Sequence, residues 1–357
     1  MTKMLPGRGL DVGTGFIVEA RMSEDGTVHT RSVRDSFLEL VPKNKMVYKV
    51  MRKSLEQAGI DFLEEDGVFN VLGDDSLKKS VETNAVIKRP MRKGVLSPKE
   101  MKAIPMFTAL VKELLGEPVI PNEPIVYSVP ADPGDEDFEI VWHENAIKSI
   151  LSSLGYKGTS INEAQAIVFS ELAEEGDDYT GIAISCGAGM CNVAISNMAD
   201  LLSAFSIGKG GDYVDYSTAT SLGYDPKDPS GSTDITPNLV TFIKEGGVDI
   251  RKIIFEGEDS RVKSSIAAHY QNLIKYMVAN LAAEIQSMEN KPKFLAPIKI
   301  VVSGGTSLAT GFLEVFEKEL AEVKKDLPFE VKEVVHASSP LTAVAEGALL
   351  ALLSDME

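Results

Sequence analysis

GRGLDVGTGFIVEA (residues 7–20) is the stretch that decides how this chain is read: an apolar strand, a Gly-Thr-Gly turn and a second apolar strand. TGIAISCGAGMCNVAIS (180–196) repeats the pattern in the second half, with Gly187, Ala188 and Gly189 at the turn. IKIVVSGGTSLATGF (298–312) adds a third buried strand, followed by Gly304, Gly305 and Thr306 and a helix start. Glycine permits positive φ and lets backbone N–H groups approach an anion with no Cβ in the way. Two such hairpins facing each other from two halves of a chain could grip a row of phosphates, with Gly13, Gly15, Gly187 and Gly189 at the contact. Thr14 adds a hydroxyl donor. Asp11, at the end of the first strand, is placed to hold Mg²⁺ through water, since Mg²⁺ takes few carboxylates and keeps several waters. A lone Gly-X-Gly between strands is an ordinary hairpin. The order of three such turns carries the argument, and the absence of a Walker loop or of Gly-X-Gly-X-X-Gly opening a helix removes two other nucleotide folds.

Outward from these turns, elements of both periods alternate. Lys45 to Ala58 has helical spacing of Val47, Val50, Met51, Leu55 and Ala58, stopped by Gly59. Residues 67–87 mix short strand and helix patterns, as a small inserted subdomain would. A helix follows Ser97, which with Glu100 has the spacing of a capping box, and Pro105 is expected to interrupt it. PIVYSVPADP (124–133) reads as a buried strand, Phe138–Leu154 as a helix closed by Gly155, and GTSINEAQ (158–165) as the start of another helix. Ser264–Ser287 and the alanine- and leucine-rich stretch from Ser339 complete the helices.

The composition is that of a globular α/β protein with room for two cores: 357 residues, 44% hydrophobic and 25% charged. A formal net charge of −17 argues against a nucleic-acid surface and against electrostatic attachment to anionic lipid. The basic run KRPMRK (88–93) is an exception, read as a solvated face or loop. No run approaches the ~18 apolar residues of a membrane span, and the N-terminus lacks a signal-peptide pattern, so a cytoplasmic address is expected. Cys186 and Cys191 have neither the spacing nor the neighbours of a metal site and read as small residues fitted beside a tight turn.

The ordered set resembles the actin, heat-shock-chaperone and sugar-kinase ATPase superfamily, and within it the bacterial actins of the MreB and MamK type. LDVGTG and AISCGAGMCNVAI resemble its two phosphate motifs, and IVVSGGTSLATGF its adenosine motif. SVPADP with INEAQAI resembles the connecting segment, RPMRKGVLS and FNVLGDDSLKKS two MreB-like stretches, and SPLTAVAEGA the closing motif. GKGGDYVD (208–215) is similar to the loop that approaches ribose and phosphates, which assigns Gly210, Gly211 and Asp212 to the nucleotide. The resemblance implies an actin-like ATPase fold: two ribonuclease-H-like domains, each with a small inserted subdomain, and ATP or ADP with Mg²⁺ in the cleft between them. Residues 1–141 with 335–357 would form domain I (subdomain about 33–88), and 142–334 domain II (subdomain about 216–265). It also implies a homopolymeric filament, with accessory or membrane-adaptor proteins as further partners.

In bacterial actins a Glu near the start of the helix after the Val-Pro pair positions the attacking water. That resemblance points here to His143, by register, or Glu144, by chemistry. Three departures from the pattern stand out. The acid that usually opens the second phosphate motif is Ser185, the hydroxyl pair that often follows its glycines is Met190-Cys191, and no lysine follows the first turn. The missing lysine is shared with bacterial actins generally, while the first two departures fit slow hydrolysis or binding alone, as in a non-hydrolysing nucleotide-binding adaptor of the FtsA or pilus-assembly type. A sugar-kinase-like phosphotransferase on the same fold is a further reading.

Overall fold

A computed structural model of the chain describes all residues except 1–2, 84, 98–99, 101, 134–139, 174–177, 229–232 and 356–357. Along the first half run β1 (Arg8–Val12), β2 (Phe16–Met22), β3 (Val28–Arg34) and β4 (Phe37–Leu40). They are followed by α1 (Lys45–Gln57), β5 (Phe62–Glu65), β6 (Val68–Leu72), α2 (Gly73–Thr83), β7 (Met91–Arg92) and β8 (Val95–Leu96). Next come α3 (Ala103–Leu115), β9 (Glu123–Val129), α4 (Ile140–Ser153), β10 (Tyr156–Asn162) and α5 (Glu163–Glu171). The second half holds β11 (Gly181–Cys186), β12 (Cys191–Asn197), β13 (Asp200–Ile207), α6 (Gly211–Ser221), α7 (Pro237–Glu245) and α8 (Ser260–Ser287). It closes with β14 (Ile298–Ser303), α9 (Phe312–Val323), β15 (Val331–His336) and α10 (Ala343–Ser354).

The duplication suggested by the two hairpins extends to the whole sheet. One five-stranded sheet has the order β10-β9-β1-β2-β3 and the other β13-β12-β11-β14-β15. In each, an antiparallel three-strand meander is extended by two parallel strands on the side of its first strand. β11 is buried along its whole length, as befits a central strand covered on both faces. The small three-stranded sheet β4-β6-β5 with α1 and α2 forms the insertion expected in the first half. Between α6 and α8 in the chain, the helix α7 packs against both of them and against α2 of the first half.

Helices α5 and α10 join the two sheets. α10 lies on β1, β2 and β9, while α5 packs on β11 and β12, and the two helices meet each other. Glycines make both approaches close: a Cβ on Gly9 of β1 would stand 2.0 Å from the Ala345 carbonyl oxygen, and one on Gly347 of α10 1.8 Å from that of Ala166. Outside this layer each sheet has its own core. One forms around Leu10, Ile17, Phe107, Tyr127 and Ile147, the other around Ile184, Val193, Tyr270, Ile274 and Ile300.

Several local expectations are corrected. Residues 158–162 continue strand β10, and the helix begins only at Glu163, where the Asn162 side chain caps the N–H groups of Ala164 and Gln165. α3 starts at Ala103, without a side-chain cap from Ser97, so Pro105 falls in the first turn, where a missing N–H breaks no helical bond, and the helix continues to Leu115. The expected helix start at Phe138 lies outside the described residues. β10 pairs in parallel with β9, so the sheet of β1 takes strands up to Asn162, and the second five-stranded sheet begins with β11 at Gly181.

Candidate functional site

Between the two sheets lies a cavity of about 480 Å³ lined by all three glycine turns: Asp11 to Gly15, Gly187 to Gly189, and Gly304 to Thr306. The turns interlock. Gly13 N–H closes the first hairpin on the Phe16 carbonyl (3.1 Å), and Gly187 N–H closes the second on that of Met190 (3.0 Å). Gly189 can only be glycine, since a Cβ there would meet Thr14 Oγ1 at 2.5 Å and Gly94 N at 2.7 Å. Thr14, expected to aim its hydroxyl at an anion, accepts a hydrogen bond from Gly94 N–H at 2.8 Å.

The carbonyls of the second turn act as its anchor. Gly187 O accepts from Gly211 N–H (3.0 Å) and from Thr306 Oγ1 (2.8 Å), and Ala188 O accepts from Asp212 N–H (2.8 Å). Gly210, at the N-cap of α6, is pressed against the same carbonyls, 2.6 Å from where its Cβ would be. Gly304, at φ +89°, sits against the Cys186 carbonyl. The glycine-turn residues picked from sequence are thus brought together, with a division of labour invisible in the sequence. Gly210 and Gly211 hold the turn from behind, Thr306 lines the cavity while its hydroxyl holds the Gly187 carbonyl, and Asp11, Thr14, Asp212 and Gly305 face the cavity.

His143 and Glu144 are not part of it. His143 is fully buried on α4, where Nδ1 accepts from Leu96 N–H (3.1 Å), and burial pushes its pKa down to about 4. Glu144 Oε1 accepts from Ser160 Oγ on β10 (2.5 Å). Neither lines the cavity; their helix packs on the outer side of the first sheet, against β10 and β8.

A carboxylate that does reach the cavity, beside Asp11, is Glu163, at the first position of α5. It accepts from Ser185 Oγ through Oε1 (2.5 Å) and from Asn192 Nδ2 through Oε2 (2.9 Å). The acid missing from the second motif is therefore supplied by another element. Burial and the nearby Asp11 charge raise the Glu163 pKa, with Ser185 opposing. Burial likewise raises Asp11, against the hydrogen bond from Ser128 Oγ (2.9 Å). Two hard oxygen donors that resist ionising unaided suit a divalent cation that keeps most of its water. Among the described residues no group of three or more His, Cys, Asp and Glu forms a dedicated metal cage.

Cations also come from places the sequence did not announce. Arg34, Arg89 and Lys244 line the cavity. Lys244 Nζ bonds Asp215 Oδ2 (2.8 Å) and Gly211 O (3.0 Å). Arg89 meets Asp212 at 2.5 Å, and Arg34 makes a bidentate pair with Glu245 at 3.1 and 2.8 Å. Burial works against the Arg89 charge, yet Asp212, with Asp215 and Asp35 behind it, holds its pKa above the ordinary value. Glu163 stood inside a quoted motif, and Arg89 inside the basic run read as a solvated face. Cys186 and Cys191, opposite each other across the β11–β12 hairpin, are buried free thiols.

A two-sheet α/β chain duplicated about a cleft walled by glycine turns has the fold of the actin-like ATPases, and solved structures agree. The chain is similar to the MamK double helical filament (16% identity, 98% of each chain covered, TM-score 0.65). It is also similar to MreB 5 of Spiroplasma citri bound to AMPPNP (13%, 98% of each chain, TM-score 0.61). The ethanolamine utilization protein EutJ from Carboxydothermus hydrogenoformans matches as well (17%, 96% of this chain and 89% of that one, TM-score 0.54). A comparison with curated proteins finds no match. The chain belongs to the Volactin family, whose model matches residues 7–352. Among the described residues no helix is long and apolar enough to cross a membrane.

Proposed function

We propose that this chain is a cytoplasmic, nucleotide-dependent cytoskeletal protein: it binds ATP and ADP with Mg²⁺ in the cleft, hydrolyses ATP slowly and assembles with copies of itself into filaments. The observation that carries the reading is the cavity walled from both halves by three glycine turns. Asp11 and Glu163 would hold the Mg²⁺, which neutralises phosphate charge when bound. The turns' backbone would cradle the phosphates, and the wall of Gly305, Leu308, Ala309 and Leu341 would receive the base. Glu163, neutral or charged according to what sits beside it, has the chemistry to orient water. Self-assembly draws support from the likeness to the MamK filament.

A non-hydrolysing nucleotide-binding adaptor is the second reading. It is favoured by Met190 and Cys191, buried where two hydroxyls are usual, and by the remoteness of His143 and Glu144. Sedimentation of purified protein with ATP·Mg²⁺, with ADP and without nucleotide, alongside phosphate release, separates the readings. ATP-dependent pelleting with phosphate release supports the first. Nucleotide binding with neither supports the second, and turnover only on adding a sugar would overturn both in favour of a phosphotransferase.

A further inference from the structure

A second cavity, of about 560 Å³, opens between the two halves beside the first. Arg89, Asp212, Asp215, Thr241 and Gly189 line both, so the Arg89–Asp212 ion pair stands in their common wall. The second cavity differs sharply in charge from the rest of the molecule. Lys88, Arg89, Arg92, Lys93 and Lys209 line it against Glu100, Asp212 and Asp215, in a chain whose net charge is −17. A cleft with such a lining concentrates anions against the overall field.

The acids are largely answered from within. Asp215 is held by Lys244 at 2.8 Å and Asp212 by Arg89, and Glu100 lies 4.0 Å from Lys88, which is paired more closely with Glu39 at 2.7 Å. Arg92, from the first half, makes no ion pair among the described residues. Lys209, from the second, rests its Nζ 3.5 Å from the centre of the Tyr276 ring and 5.2 Å from that of Tyr213, with no carboxylate among its described partners. Two cations with no acid partner among the described residues thus border one cavity from opposite halves, and Tyr213 and Tyr216 line it with them.

We propose that this cavity is an anion site for a phosphate group, separate from the glycine-turn cavity and bridging the two halves. A tetrahedral dianion can be met from several directions at once by a guanidinium fork, an ammonium and tyrosine hydroxyls. A planar carboxylate would leave one wall unanswered. The volume admits free inorganic phosphate or a small phosphate ester. Arg89 makes the site consequential. An anion there competes with Asp212 for the guanidinium and so alters the charge that Asp212 presents to the first cavity. On the nucleotide reading, phosphate and nucleotide affinities are then reciprocally coupled. The site itself stands whether or not the first cavity takes a nucleotide.

The test is calorimetric titration of the full chain with inorganic phosphate and with glycerol 3-phosphate, each with and without saturating ADP. The same titrations are made on Arg92→Ala/Lys209→Ala and, as a milder change, on Arg92→Lys. Phosphate-group binding that persists with ADP present and weakens at least about ten-fold in the double variant is expected, with Arg92→Lys intermediate. ADP affinity and melting temperature should stay near the parent values, since neither residue lines the first cavity. The tighter of the two probes identifies the source, and either order upholds the site. Absence of binding at millimolar phosphate, full displacement by ADP, or equal binding by chain and double variant overturns it. Loss of ADP binding by the parent chain would sink the nucleotide reading yet leave the phosphate comparison intact.

Discussion

Ser185 on β11 donates its hydroxyl to Glu163 at the start of α5, so the second glycine turn borrows its acid from the helix that joins the sheets. If Glu163 orients water or steadies the metal, Glu163→Gln should bind ATP within a few-fold of the parent and lose about 10²-fold or more in phosphate release. Single-turnover phosphate release with a parallel nucleotide titration reads both. Unchanged release would remove Glu163 from the reaction.

His143 and Glu144 provide the matching control. Glu144→Gln should keep phosphate release within about two-fold, since its carboxylate is engaged by Ser160 away from the cleft. His143→Ala should lower the melting temperature, because it leaves the buried Leu96 N–H without an acceptor and opens a gap beside β8. A specific collapse of turnover in Glu144→Gln, with nucleotide binding and stability retained, would restore the role suggested by its chemistry.

Arg34 and Glu245 pair across the cleft from opposite halves, both line it, and Arg34 also lies over the Phe16 ring at 4.4 Å. Removing one partner of such a hydrogen-bonded pair acts mainly on dissociation. Glu245 is part-exposed, so the effect is screened: Arg34→Ala should speed release of a fluorescent ATP analogue by about ten-fold, and added salt should shrink the difference. A stopped-flow chase measures this. Equal release rates at low salt would show that the pair does not gate the cleft.

Asp35 is fully buried, with Oδ2 accepting from Met91 N–H and Oδ1 without a hydrogen-bond partner among the described residues. Burial raises its pKa to about 8, although the Met91 bond and Arg89 oppose this. A carboxyl raised in the folded state stabilises most at low pH, and that contribution is lost as pH rises from the unfolded value near 4 through 8. Asp35→Asn removes the proton linkage. Relative to the parent it should gain stability with rising pH across this window, on the order of 1 kcal/mol per pH unit at most. Denaturant titrations at pH 5 and pH 8 would show a constant difference if the carboxyl were ionised throughout.

Gly347 lets α10 touch α5. Gly347→Ala must push the helices apart, and a loss of about 1–3 kcal/mol is expected from overpacking, read by urea unfolding. An unchanged midpoint would mean that the layer between the sheets yields freely.

The three glycine turns were legible because their demands are local: a tight turn between buried strands requires small residues in adjacent positions. The fold followed from their order, and the sheets repeat in full the duplication that two hairpins suggested. Boundaries were less legible, since nothing within GTSIN distinguishes a helix entry from an edge strand; β10 exists because β9 offers it a parallel partner. Arg89 reads as a surface cation until the opposite half places Asp212 against it.

What the amino-acid order determined by itself was the cleft and its glycine backbone, because chain reversal and close approach are set by neighbouring residues. Which side chains face that cleft was decided only in three dimensions. Glu163, Arg34, Arg89 and Lys244 reach it from elements far apart in the chain, while His143 and Glu144, at a fitting register, are held elsewhere by Leu96 and Ser160. The charge of a buried group depends on desolvation and on partners brought by folding, and a linear sequence specifies neither directly.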